Sequence, residues 1–165
     1  MRTVLRTVVL ILAVLGVAWA GPIDLTGTWT LDKDASDAPG ELLKAQGASY
    51  VERKVAAEID MTLVITQAGD EVTIETQSRM QASPQTLIVD GVARQVTNDK
   101  GEVSNVVHSW QNNTLVTRSD AVATDGQAIQ ITRSLLDEGR TLNQQILMTT
   151  AEGEAITVVR VFRKR

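Results

Sequence analysis

The chain has 165 residues, no cysteine, one histidine and a formal net charge of −4. That length supports a single domain with its own core. The lack of cysteine excludes disulfides, thiolate metal sites and a lipid-modified N-terminal Cys, and the acidic balance argues against nucleic acid and anionic membrane surfaces as principal partners.

Residues 1–20 read as a secretory signal peptide. Arg2 and Arg6 form the basic start, residues 8–17 are an apolar run too short to span a bilayer comfortably, and Ala18-Trp19-Ala20 is a small-x-small cleavage site. The expected division is a leader over 1–20 and one domain over 21–165, exported to the periplasm or beyond the cell. Cleavage removes two arginines and no acid, which takes the charge to −6.

The alternating stretch 25–31 is the first strand, with Gly27 and Trp29 on one face. The pattern then turns helical. Asp37 is the expected N-cap, with Pro39 in the first turn, a short helix to Gln46 and Gly47 as the stop. Ser49 and Glu52 form a capping box that opens a second helix running to Glu58. No further helix is expected.

From Met61 onward the period is two, with turn residues between the runs. Strands are expected over 61–67, 71–79, 85–89, 92–96, 102–110, 114–122, 127–136, 140–149 and 154–163, making ten with the first. Asp90-Gly91 reads as a strong hairpin turn, and Asn112-Asn113 as another. Short loops imply antiparallel neighbours in chain order, hence a meander. Such a meander hides its edges by curling until its first and last strands meet. The expected architecture is an all-β, ten-stranded antiparallel up-and-down β-barrel with a two-helix lid between strands one and two. A barrel of this size encloses a cavity.

Two arginines sit where apolar side chains belong. Ile129, Ile131, Arg133 and Leu135 share one face of their strand, and Ile156, Val158, Arg160 and Phe162 share one face of the last. No acid lies on either face. A buried, unpaired cation loses several kcal/mol of hydration, so Arg133 and Arg160 call for an anion, and Arg suits a bidentate grip on a carboxylate. The alternatives are stacking on Trp29, water, or an internal acid elsewhere in the fold.

Other constellations carry less. His108 stands alone, with no positioned nucleophile or orienting acid beside it. Asp32-x-Asp34-x-x-Asp37 lacks the glycine and terminal glutamate of an EF-hand loop and reads as a turn and a helix cap. Asn112-Asn113-Thr114 matches a glycosylation acceptor and reads as a hairpin turn. Neither a catalytic set nor a cofactor or metal site is indicated.

These residues resemble the fatty-acid-binding proteins of the calycin superfamily over nearly the whole of 21–165. Gly27-Thr-Trp-Thr-Leu31 is similar to the family's opening strand, and Pro39 through Val55 to its helix–turn–helix lid. Leu63 through Ser78 is similar to its second and third strands and is the most specific stretch. Thr132-Arg133 falls where the family has a buried ligand-contacting arginine, and Arg160-Val161-Phe162 falls on its terminal Arg-x-Tyr motif. The resemblance implies a lid that gates the barrel and a fatty-acid carboxylate held by two arginines and a tyrosine. Phe162 replaces that tyrosine and removes one hydroxyl donor, worth about 0.5–1.5 kcal/mol where the bond is made. A secreted bacterial branch of lipocalin-like proteins also opens on a Gly-x-Trp strand, and the chain resembles it too.

The expected function is non-catalytic binding and transport of a small hydrophobic ligand, a fatty acid or similar amphiphile with an acidic head group. Arg133, Arg160, Phe162, Ile131 and Val158 are the candidate contacts. A monomer is expected, with transient membrane contact through the lid. The other reading is a structural or interaction protein with a filled barrel, such as an inhibitor or envelope factor.

Overall fold

The computed structural model describes residues 22–79, 82–97, 101, 103–121 and 127–165. The leader, and the turn expected at Thr124-Asp125-Gly126, lie outside the described residues. Ten strands form one sheet: β1 (Gly27–Asp32), β2 (Met61–Ala68), β3 (Glu71–Ser78), β4 (Ala82–Ile88), β5 (Arg94–Thr97), β6 (Val103–Gln111), β7 (Thr114–Ala121), β8 (Ala128–Leu136), β9 (Thr141–Thr149) and β10 (Ala155–Lys164). Helices α1 (Gly40–Ala45) and α2 (Tyr50–Glu58) fall between β1 and β2. All pairings are antiparallel, and the strand order is β4-β3-β2-β1-β10-β9-β8-β7-β6-β5. The first and last strands pair as expected, with Trp29 opposite Lys164 and Leu31 opposite Phe162.

The meander departs from expectation at Asp90-Gly91. β4 and β5 are the two ends of the sheet and do not pair. Bonds to other parts of the chain, together with an Asp90–Arg94 pair, divert this segment from a hairpin. Val89 N–H donates to Asp70 O at 2.7 Å and Gly91 N–H to His108 O at 2.9 Å. The Asp90 carboxylate takes Arg94 in a two-pronged grip at 2.8 and 2.6 Å, and also accepts from Val92 N–H. The chain therefore crosses from one sheet end to the other without a ladder. Closure of β1 on β10 moves the free edges to β4 and β5 rather than abolishing them. By contrast Asn112 and Asn113, at φ 47° and 59°, make the left-handed two-residue turn that suits a twisted hairpin between β6 and β7.

A second correction concerns the lead into the lid. β1 ends at Asp32, but β10 extends beyond it, which leaves ladder groups to satisfy. Ser36 Oγ accepts from Val161 N–H at 2.9 Å. Asp37 Oδ2 accepts from Val159 N–H at 2.8 Å, and Asp37 N–H donates to Val159 O at 2.8 Å. Asp37 is thus tied to β10, and the residue at the N-cap of α1 is Pro39. The capping box of α2 forms as expected, with Ser49 N–H on Glu52 Oε2 at 2.7 Å and Glu52 N–H on Ser49 Oγ at 3.3 Å. The turn expected between the strands ending at Leu136 and starting at Arg140 takes the form of a short 3-10 turn, Asp137–Gly139.

The core divides in two. The larger cluster gathers Trp29, Phe162, Leu25, Ile65, Leu115 and Leu142 where β1 and β10 join. Trp29 is fully buried and its Nε1–H donates to Leu25 O at 3.0 Å. Lys164 lies over its ring at 5.3 Å, so the terminal basic segment braces the indole. The smaller cluster packs Leu42 of α1 onto Met148 and Val158. α1 therefore plugs one end of the barrel, while α2 buries no residue of its own.

Candidate functional site

Adjacent strands β8, β9 and β10 place Arg133 opposite Gln144, and Gln144 opposite Arg160. Cross-strand partners share a face, so the three side chains form one row. Neighbouring rows on that face are Leu135–Leu142–Phe162 and Ile131–Ile146–Val158. The row is therefore a polar band on an apolar inner surface.

Arg133 is buried, and its Nε–H donates to Gln144 Oε1 at 2.9 Å. Among the described residues neither Arg133 nor Arg160 has a carboxylate partner. Burial alone pulls the Arg133 guanidinium down to about 10, and burial lowers Arg160 as well. A buried guanidinium and a half-buried one thus lie in one row with a neutral amide between them.

That row forms part of the wall of a cavity of about 600 Å³. The wall continues through Met61 and Leu63 of β2, Ile74, Thr76 and Ser78 of β3, Pro84 and Gln85 of β4, and Ile146 of β9. Ile146 also packs against the cluster beneath α1, so this wall adjoins the core under the lid. A volume of this size is within the range of small-molecule pockets.

The structure brings Arg133 and Arg160 together as expected. Ile131 and Val158 occupy the next row with Ile146, but only Ile146 is in the wall of this cavity. Val158 is buried beneath α1. Phe162 is fully buried in the larger core cluster, outside this wall. A position read by motif as a head-group contact is thus a packing position. Gln144 was not singled out from the sequence. It alternates with Leu142, Ile146 and Met148, the same polar intrusion on an apolar face that marked Arg133.

A second polar group lies nearby on the inner surface. His108 is buried, and its Nδ1 shares a hydrogen bond of 3.0 Å with Thr117 Oγ1. Burial, then the charges of Arg133 and Arg94, hold its pKa below the ordinary imidazole value, with Asp90 opposing. Two residues on in β6, Trp110 Nε1 is buried and has no hydrogen-bond partner among the described residues.

No protein-family model matches the chain, and no curated protein matches it by sequence. Solved structures do match. Apo lipid binding protein 8 of Caenorhabditis elegans superimposes with a TM-score of 0.70 at 19% identity, over 85% of this chain and 94% of that one. Fatty-acid-binding protein 1 of Echinococcus granulosus gives 0.66 at 16%, over 84% and 96%. Human cRBP IV gives 0.66 at 25%, over 87% and 100%. The chain has the calycin fold. The ten strands, and the two helices after the first, are the architecture the resemblance implied. Identity this low fixes the architecture, and the contents of the barrel are read from the side chains above.

Proposed function

We propose that this calycin barrel binds and carries a fatty acid or similar amphiphile whose acidic head sits on Arg133 and Arg160. The observation that carries this reading is the pair itself: two cations in one row on either side of Gln144, facing a cavity whose remaining wall mixes Met61, Leu63, Ile74, Pro84 and Ile146 with Thr76, Ser78 and Gln85. A carboxylate supplies the charge that the chain does not, and charge-assisted bonds to guanidinium are the strong kind. The matched solved structures include proteins named for binding lipids or fatty acids, which supports the same class of ligand. Matched solved structures are named as binding proteins or transporters, which supports a carrier over an enzyme.

Export follows from reading residues 1–20 as a leader, and the carrier is taken to act as a monomer in the periplasm or outside the cell. Contact with a donor membrane is assigned to α2, which exposes Tyr50 and Val51 at 65% and 68%, beside Arg53 and Lys54. A barrel filled by its own side chains is disfavoured by the cavity.

Purified protein should be extracted and analysed by lipid mass spectrometry, with displacement of a fluorescent fatty-acid probe alongside. A co-purifying acid, or probe displacement by fatty acids, supports the carrier. A protein that is empty and does not take the probe overturns it.

A further inference from the structure

We propose that His108 takes up a proton when an anionic head group occupies Arg133 and Arg160, so that ligand binding in this barrel is coupled to protonation. This rests on the anion-site reading above and adds a titrating residue to that site.

The placement comes from register. His108 pairs with Thr117, Thr117 with Ile131, and Ile131 lies two residues from Arg133 on the same face of β8. His108 and Arg133 therefore look into the same interior from neighbouring rows. His108 Nδ1 is held by Thr117 Oγ1 at 3.0 Å, which orients the ring, and among the described residues Nε2 has no partner. The charged groups around the ring are Arg133 from β8, Arg94 from β5 and Asp90 from the segment before β5. Asp90 is committed to Arg94 through two bonds, so it cancels that arginine and little else. Arg118 and Asp120 flank Thr117 on β7 and point to the opposite face of the sheet. The uncompensated charge near His108 is thus Arg133.

In the empty barrel a further cation beside the arginines is opposed by burial and by Arg133, which favours the neutral imidazole. A carboxylate on Arg133 and Arg160 brings one negative charge that offsets the arginine field at the ring, which favours the imidazolium. Linkage then requires the reciprocal effect: protonated His108 tightens the hold on the anion. Binding strengthens as pH falls through the imidazole range, while the ligand remains ionised.

The single histidine of the chain makes the test direct. The ring-proton resonances of His108 are titrated by NMR in the free protein, with dodecanoate and with dodecanol, and in Arg133→Met. Calorimetry on the same samples records whether each ligand binds. Dodecanoate is expected to raise the proton affinity of His108 about tenfold, which is one pKa step, with dodecanol leaving it unmoved. Arg133→Met should raise it in the free protein. Dodecanoate that binds without moving His108 overturns the coupling and leaves the carrier reading intact. Failure of dodecanoate and longer fatty acids to bind at all overturns the carrier reading, and the coupling falls with it. A free-protein value unchanged by Arg133→Met overturns the coupling on its own.

Discussion

Arg133 donates to Gln144 at 2.9 Å across the β8–β9 pair, and that neutral amide is its hydrogen-bond partner among the described residues. An amide satisfies one N–H of the guanidinium and none of its charge. Buried cations are normally paired. This one has no carboxylate partner among the described residues.

The first prediction sets stability against function. Arg133→Met combined with Gln144→Leu replaces a buried polar pair by apolar side chains. Replacing both partners of a buried hydrogen bond by apolar groups of similar shape is nearly neutral or stabilising. Urea denaturation of the ligand-free double variant should show a midpoint equal to or above that of the parent. A clear loss of stability would mean that the interior solvates Arg133 well without a ligand.

Trp29 is expected to act on the fold alone. Trp29→Ala removes a fully buried ring from the larger core and should cost about 3–5 kcal/mol. Gly27→Ala adds a methyl at 3.0 Å from Lys164 Cε and 3.4 Å from Trp29 Nε1, at φ 153°, and should also destabilise. Thermal melts check both. Fatty-acid affinity measured on the folded fraction should be unchanged, and a selective loss of binding would reassign Trp29 to the site.

Helix α2 should melt by itself. Its capping box is local, and the helix buries no residue. Ser49→Ala should cost that helix about 1 kcal/mol. Amide exchange should quicken across Tyr50–Glu58 and stay unchanged in β8–β10. Equal loss of protection in the strands would show that the lid and the barrel unfold together.

The pH dependence of stability has a definite sign. The folded state holds the pKa of His108 below its ordinary value, so the unfolded chain binds the proton more readily. Stability from this group is complete above the unfolded imidazole value and declines as pH falls through that value toward the folded one. His108→Gln should flatten the decline between about pH 7 and pH 5. A parent protein whose stability in that window is indistinguishable from that of the variant would contradict the placement of a neutral buried imidazole.

Much of the barrel was legible because alternation and turn chemistry act locally. The ten strands, the capping box at Ser49 and the closure of β1 on β10 all follow from short-range patterns. Asp90-Gly91 misled because its hairpin signal is local too, while the bonds that override it reach Asp70, His108 and Arg94. Asp37 misled similarly: its carboxylate suits a helix cap, but the unfilled ladder of β10 claims it first. At the site, Arg133 and Arg160 stood out as charges on apolar faces. Gln144 carries the same signature in uncharged form. Phe162 was chosen by motif position, and only the packing around Leu142 and Trp29 reveals its place in the core.

The most direct measurement compares an acid with its alcohol. Dodecanoic acid and dodecanol share a tail and differ at the head, and each can be titrated calorimetrically into the parent protein and into Arg133→Met. Charge-assisted hydrogen bonds of about 1.5–3 kcal/mol correspond to a preference for the acid of about 10- to 100-fold. The expected result is that preference in the parent protein and its disappearance in the variant. Equal affinity for acid and alcohol in the parent, or a preference that survives Arg133→Met, would contradict the anion site.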